Sequence, residues 1–201
     1  IWKTSEAEEA AKFGRKPGQI KVKDVNPDGK IDANDRQIVG KVRPRWSGGW
    51  HNTFSYKNFE LSCFIYARWK FTVAKGAETL GGMYAMRDVD YWIKDINEDA
   101  EYYSPGSQGQ NADTYSSSMN YQDGSYIKMR NISLGYTFPK NMTSKLGMSN
   151  LKVYVQAMNP FTIYKKCKWL DTDLLSYDNN STSYGSGTTI KSWVIGLNIG
   201  F

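Results

Sequence analysis

Strict alternation of aromatic or apolar side chains with polar ones recurs in five segments of this sequence. In "RWSGGWHNTFSYK", Trp46, Trp50 and Phe54 share one parity, and polar residues such as Ser47 and His51 share the other. Successive side chains of a β-strand point to opposite faces of the sheet, so this period predicts a strand with one apolar face. The same period recurs in "KNFELSCFIYARW", "SYIKMRNISLGYTF", "LKVYVQAMN" and "IKSWVIGLNIGF". About five strands are therefore predicted between residues 45 and 201.

The predicted connections between these strands are unequal in length. Lys57-Asn58 forms a minimal turn and Pro139 to Asn150 a moderate one, whereas 70–124 and 165–189 are long and polar. Short turns at one end and long loops at the other are typical of outer-membrane barrels. Aromatic residues cluster at the strand ends, as they do at both membrane–water interfaces. A β-sandwich whose core is formed by the aromatic faces is the alternative interpretation.

One predicted strand contains an irregularity. Lys128 and Arg130 have the same parity as Ile132 and Leu134, so a regular strand places both cations on the apolar face. A β-bulge, or extension of the long side chains to the interface, is the expected solution.

Composition narrows the functional class. No run approaches the roughly 20 apolar residues of a membrane helix, which excludes helical spans but not a β-barrel. The net charge is +6, but Lys and Arg are scattered among acidic residues, so no nucleic-acid partner is expected. His51 is the only histidine, which argues against a Ser-His-Asp triad. The carboxylates of "DVDYWIKDINEDAEYY" indicate a solvated surface, so the chain is predicted not to be an enzyme.

An acidic loop precedes the first predicted strand. "DVNPDGKIDAND" places oxygen-bearing groups at every second position and Gly29 at the sixth, where a sharp turn is needed. This spacing is typical of loops that wrap hard oxygen ligands around Ca²⁺, although Asp instead of Glu at the twelfth position departs from the EF-hand pattern. The alternative is an Asx-rich turn without an ion. The expected ligands of a structural Ca²⁺ are Asp24, Asn26, Asp28, the Lys30 carbonyl, Asp32 and Asp35.

The order of several motifs resembles the C-terminal part of SusC/RagA-type TonB-dependent outer-membrane transporters. The resemblance covers nearly the whole chain. It rests on the helix-like "SEAEEAAKFG", on "KPGQIKVKDVNPDGKIDAND", on "FSYKNFELS", on "YIKMRNISLGYTFP", on "QAMNPFT" and on a terminal Phe. The family more often has "QNLFT" where this chain has "QAMNPFT", which is a local variation. Phe201 resembles the terminal signal that the barrel-insertion machinery reads.

The resemblance implies a fold and a set of partners. The expected fold class is all-β: the C-terminal strands, about five, of a large antiparallel transmembrane β-barrel with long extracellular loops and a short N-terminal helix. Residues 1–44 are expected to form an extracellular loop and 45–201 the barrel strands and loops, with the plug domain absent. Expected partners are the rest of the barrel and its plug, a SusD-like surface lipoprotein, the TonB complex, outer-membrane lipid, and an oligosaccharide or peptide cargo.

The predicted function is TonB-dependent import of oligomeric nutrients across the bacterial outer membrane. A soluble calcium-dependent carbohydrate-binding module or adhesin of β-sandwich type is the alternative from another class. Aromatic residues of the long loops are the expected contacts with cargo or lid, namely Trp92, Tyr102, Tyr103, Tyr115, Tyr121, Trp169 and Tyr177.

Overall fold

A computed structural model describes residues 1–74, 90–104, 121–167, 173 and 189–201. The chain divides into two units. Unit 1 comprises Ile1–Val39 and Lys75–Tyr121, and unit 2 comprises Gly40–Ala74 and Gln122–Phe201. The grouping of 75–121 with the N-terminal residues was not expected from the sequence.

Unit 1 begins with the predicted short helix. A 3₁₀ turn, Thr4–Glu6, leads into α1, Ala7–Lys12, and the chain then reverses at Gly14, which has a φ of +65°. The Lys3 N–H donates to Glu6 Oε2 at 3.1 Å, so Glu6 caps the first turn. Another 3₁₀ turn, Ala33–Asp35, lies within the acidic loop. No helix among the described residues is long and apolar enough to cross a bilayer.

Side chains that are distant in sequence form the core of unit 1. Trp2 is 2% exposed and stacks on Phe13, with 6.2 Å between the ring centroids. Trp92 lies against Gly18, where a Cβ atom would come within 2.7 Å of its ring, and Gly18 also has a φ of +83°. The absence of a side chain at this position therefore serves both the turn and the indole packing.

Unit 2 is built on a five-stranded antiparallel sheet. The strands are β1 Trp46–Tyr56, β2 Phe59–Trp69, β3 Thr72–Ala74, β4 Tyr121–Asp123, β5 Tyr126–Thr137, β6 Asn150–Lys165 and β7 Ser192–Gly200. The strand order of the large sheet is β1-β2-β5-β6-β7, and β3 pairs with β4 in a separate two-stranded sheet. The five long strands confirm the sequence prediction.

The two ends of this sheet differ in their connections. The turn between β1 and β2 and the segment between β5 and β6 lie at one end of the strands, which we call the turn edge. We call the opposite end of the strands the loop edge. Lys57 takes a φ of +53° in the two-residue turn, as predicted for a minimal hairpin. The segment between β5 and β6 contains α2, Lys140–Thr143, and a 3₁₀ turn, Ser144–Leu146.

A small hydrophobic cluster lies at the loop edge of unit 2. It contains Phe71, Val73, Tyr126 and Cys167, each 3% exposed or less, and Tyr66 packs against it. A Cβ atom at Gly124 would come within 2.5 Å of the Phe71 ring, so this glycine permits the close packing.

Candidate functional site

The register of the sheet places the apolar parities of all five strands on one face. Phe54 pairs with Leu61, Leu61 with Leu134, Leu134 with Val155, and Val155 with Ile195. Directly opposed residues point to the same side of a sheet, so these side chains form one continuous row. We call this side the apolar face and the other side the polar face.

The apolar face is exposed to the surroundings. Trp50 is 62% exposed, Trp193 is 74% exposed and Ile195 is 77% exposed. Among the described residues of unit 2, no second sheet covers this face; the remaining strands there are the short β3 and β4. The β-sandwich interpretation required these side chains to form a closed core, and they do not.

Aromatic side chains line both ends of the apolar face. At the loop edge, the ring centroids of Trp46 and Trp69 lie 6.5 Å apart, and those of Trp69 and Tyr164 lie 5.5 Å apart. At the turn edge, Phe59 lies 4.7 Å from Tyr136 between centroids. The predicted clustering of aromatic residues at strand ends is therefore organised into two bands on one face.

A β-bulge resolves the irregularity at Lys128 and Arg130. The register of β5 shifts at Arg130 against both neighbouring strands. Against β2 the shift lies between Phe64 and Ile65, and against β6 it lies between Met129 and Asn131. The one extra residue in β5 reverses which side chains point to each face of the sheet on the N-terminal side of the bulge. Lys128 consequently pairs with Tyr66 on the polar face, and the apolar face receives Met129 instead.

The bulge creates a buried ionic cluster on the polar face. Asp173, with a side chain 2% exposed, accepts from Tyr126 Oη at 2.6 Å and from Lys128 Nζ at 3.3 Å. Arg130 Nη2 donates to the same carboxylate at 2.5 Å. Thr189 Oγ1 accepts from Lys128 Nζ at 2.6 Å. Sequence analysis did not find this cluster, although two cations that break an apolar parity were a signal that could have led to it.

The acidic loop in unit 1 adopts the turn that its spacing predicts. Gly29 has a φ of +80°, and its N–H donates to Asp24 Oδ2 at 2.8 Å. The Asp32 and Val25 N–H groups donate to the Asp35 carboxylate at 2.7 Å each and hold the pKa of Asp35 below its usual value. The other oxygen of Asp24, Oδ1, is buried without a hydrogen-bond partner.

The remaining carboxylates of the acidic loop accept hydrogen bonds from backbone N–H groups close by in the sequence. The Lys30 N–H donates to Asp28 at 2.9 Å, and the Asn34 N–H donates to Asp32 at 2.7 Å. In the part of the chain that the structure describes, no three His, Cys, Asp or Glu side chains converge on one point in the way a metal site requires. Calcium binding thus remains a prediction for Asp24, Asn26, Asp28, Lys30, Asp32 and Asp35.

Four of the seven predicted cargo or lid contacts lie in the described residues. Trp92 is 7% exposed and Tyr102 is 4% exposed, so both rings pack inside unit 1. Tyr103 and Tyr121 are half-buried. The other three, Tyr115, Trp169 and Tyr177, lie outside the described residues. Phe201 is 92% exposed.

The segment from Trp92 to Ser104 is held to the N-terminal residues by hydrogen bonds. The Ser104 N–H donates to the Gly18 carbonyl at 2.9 Å, and the Thr4 N–H donates to Glu98 Oε2 at 3.1 Å. The Thr4 hydroxyl also donates to Glu98, and these two bonds hold the pKa of Glu98 below its usual value.

Curated relatives match most of the chain. TonB-dependent receptor P39 of Formosa agariphila is 30% identical over 225 residues, covering 96% of this chain and 20% of the relative. TonB-dependent receptor P3 of the same organism is 27% identical over 92% of this chain. SusC of Bacteroides thetaiotaomicron, also a TonB-dependent receptor, is 29% identical over 80% of this chain. The chain is a relative of the TonB-dependent receptors. No family model matches it.

Solved structures agree on the fold. The match to the structure of the RagAB peptide transporter covers 94% of this chain and 21% of the transporter chain, with a TM-score of 0.61 at 19% sequence identity. RagAB in the open-open state gives a TM-score of 0.59. TonB-dependent receptors such as SusC are outer-membrane β-barrel proteins, so the predicted resemblance, all-β fold class and outer-membrane location are confirmed. The chain spans about one fifth of the length of the curated relatives it matches.

Proposed function

We propose that this chain is part of a TonB-dependent transporter that imports oligomeric nutrients across the outer membrane. The exposed apolar face of the sheet is the observation that carries the proposal. A water-soluble sheet buries its apolar face, whereas a barrel wall presents it to lipid and keeps polar side chains inside. In this account the polar face lines the lumen, and the chain catalyses no reaction on its cargo.

The spacing of the aromatic bands supports contact with a bilayer. Phe59 and Trp69 are the first and last residues of the 11-residue β2. They are separated by about 33 Å along the strand at about 3.3 Å per residue. A tilt of about 40° reduces this separation to about 25 Å, the height of the apolar band of outer-membrane barrels.

A SusD-like lipoprotein is the proposed lid, and either an oligosaccharide or a peptide is the proposed cargo. The similarity to RagAB, which is described as a peptide importer, supports a peptide cargo. The oligosaccharide alternative rests on the resemblance of the sequence motifs to the SusC/RagA type. Of the proposed contacts, Tyr103 and Tyr121 retain accessible surface. Trp92 and Tyr102 act on the lid or cargo only indirectly, by packing unit 1.

The experiment uses the full-length protein in its own bacterium. We expect it to fractionate with the outer membrane, to require detergent, and to show heat-modifiable migration. Uptake of labelled oligosaccharide or peptide is expected to stop when TonB is deleted, and the lipoprotein is expected to co-purify with the receptor. A protein recovered in the soluble fraction, or uptake that persists without TonB, contradicts the proposal.

We also propose that the acidic loop binds one structural Ca²⁺. The support is the unpartnered buried oxygen of Asp24, the positive φ of Gly29, and a donor set of hard oxygen atoms. The ion would brace the loop by joining carboxylates that now accept only local N–H groups. The ligands are those predicted from the sequence, with Asp24 and Asp28 as the principal carboxylates.

Calorimetry of the intact protein with Ca²⁺ tests this second proposal. Asp28→Ala and Asp24→Asn are each expected to abolish the binding heat, whereas Glu9→Gln, an exposed carboxylate on α1, is expected to leave it unchanged. Binding that survives both loop variants, or no binding by the unaltered protein, identifies the loop as an ordinary Asx-rich turn.

A further inference from the structure

The segment between β5 and β6 exposes apolar side chains next to lysines. Met142 is 57% exposed and Leu146 is 71% exposed. They are four residues apart in the continuous helical stretch formed by α2 and the following 3₁₀ turn, so they lie on one side of it. Thr143, which is 2% exposed, points to the interior, and its hydroxyl donates to the Lys140 carbonyl at 3.3 Å.

The charge around this segment is uniformly positive. Lys140 and Lys145 are exposed, and the sequence from Thr137 to Asn150 contains neither Asp nor Glu. A third cation lies in the neighbouring turn, where Lys57 Nζ is 5.3 Å from the centroid of the Tyr56 ring. The Thr137 N–H donates to the Asn58 carbonyl at 2.8 Å, which fixes the two connections at the same edge of the sheet.

This patch is continuous with the apolar face. Tyr56, Phe59 and Tyr136 are directly opposed at the turn edge and form its aromatic band. The nearest carboxylate on these strands, Glu60, has the opposite parity and pairs with Lys152 at 2.7 Å. Apolar side chains beside cations, at the rim of an apolar surface, are the composition of elements that lie in a membrane interface.

We propose that the helical stretch 140–146, together with Lys57, docks on the phospholipid headgroups of the leaflet at the turn edge and prefers anionic ones. Met142 and Leu146 enter the boundary between headgroups and acyl chains. Lys57, Lys140 and Lys145 contact lipid phosphates. The inference rests on the proposed function, in which the apolar face contacts lipid, and adds a lipid preference to it.

Lipid selectivity of the full-length protein in vesicles is the test. Electron paramagnetic resonance with spin-labelled phosphatidylglycerol and spin-labelled phosphatidylcholine gives the relative association of the two lipids with the protein. The unaltered protein is expected to favour phosphatidylglycerol. Each Lys→Gln change at positions 57, 140 and 145 is expected to reduce that preference about fivefold, which corresponds to about 1 kcal/mol per lysine.

Matched variants separate charge from apolar contact. The triple change Lys12→Gln, Lys23→Gln and Lys94→Gln removes the same charge from exposed positions of unit 1 and is expected to leave the preference unchanged. Met142→Ser with Leu146→Ser is expected to weaken association with both lipids by a similar factor, without changing the ratio between them. Heat-modifiable migration of each variant verifies that the barrel is folded.

The outcomes distinguish this inference from the proposed function. If the protein resides in the outer membrane but the Lys57, Lys140 and Lys145 variants retain full selectivity, the lipid-docking inference is overturned and the transporter proposal stands. Selectivity that falls equally in the unit 1 control also overturns it, because the effect then reflects net charge. A protein that does not enter membranes overturns the transporter proposal itself.

Discussion

The two faces of the five-stranded sheet differ in what they bury. On the apolar face, large side chains such as Trp193 and Ile195 are more than 70% exposed. On the polar face, Lys128 and Asp173 are joined by an ion pair with side chains 5% and 2% exposed. A soluble sheet has the reverse arrangement, with apolar side chains inside and charges outside. The apolar face is therefore suited to contact with lipid and not to packing in a protein core.

The largest expected effect comes from breaking the buried ionic cluster. Asp173→Asn leaves Lys128 and Arg130 without their carboxylate, and removal of one partner from a buried pair costs about 3–5 kcal/mol. Denaturant unfolding of the full-length protein in vesicles measures the loss.

The Lys152–Glu60 pair on the same face provides the control. Its side chains are 28% and 47% exposed. Glu60→Gln is therefore expected to cost only about 0–1 kcal/mol. Equal losses in Asp173→Asn and Glu60→Gln contradict the assignment of a buried cluster to the polar face.

A matched pair of lysine substitutions in β7 contrasts the two faces directly. Ile195 lies on the apolar face and Val194, its neighbour, lies on the polar face opposite Gln156. Ile195→Lys is expected to destabilise the protein in a bilayer by about 2–4 kcal/mol, because it puts a charge into hydrocarbon. Val194→Lys is expected to cost less than about 1 kcal/mol, because a lumenal side chain meets water. The same unfolding assay applies, and similar costs at both positions count against a lipid-facing apolar face.

Glycine substitutions probe packing on the two faces. On the polar face, a Cβ atom at Gly196 would come within 2.3 Å of the Tyr154 ring. Gly196→Ala is expected to cost about 1–3 kcal/mol through overpacking. On the apolar face, the nearest atom to a Cβ at Gly48 is 3.9 Å away. Gly48→Ala is therefore expected to change the free energy of unfolding by less than about 0.5 kcal/mol. A neutral Gly196→Ala shows that Tyr154 does not occupy the space above this glycine.

The smallest expected effect concerns Glu98, a half-buried carboxylate of unit 1, in contrast to the buried cluster of unit 2. Hydrogen bonds from Thr4 depress the pKa of Glu98, so its contribution to stability is present above the pKa of the unfolded chain. That contribution disappears as the pH falls through the lower pKa of the folded protein. Thr4→Val is expected to be slightly less stable than the unaltered protein at neutral pH, and the difference is expected to vanish in acid. Thermal unfolding against pH measures it, and a difference independent of pH assigns the loss to packing.

The sequence was sufficient to predict the strands and their faces and to suggest a bulge near Lys128 and Arg130 as one alternative, but not to place the bulge at Arg130. Alternation such as that of Trp193, Ile195 and Leu197 depends only on the local period of a strand, and the register confirmed it. The position of a bulge depends on how β5 fits both neighbours, and a single segment does not contain that information. The packing of Trp92 on Gly18 and the pairing of Asp173 with Lys128 are likewise contacts between residues far apart in the chain.

Photo-cross-linking at adjacent positions of β1 tests the central claim most directly. Trp50 lies on the apolar face and His51 on the polar face of the same strand. With p-benzoylphenylalanine at one position or the other of the full-length protein in its native membrane, we expect a lipid adduct from position 50 and none from position 51. Adducts from position 50 that contain protein and no lipid would contradict the account, because the apolar face would then be covered by another part of a protein.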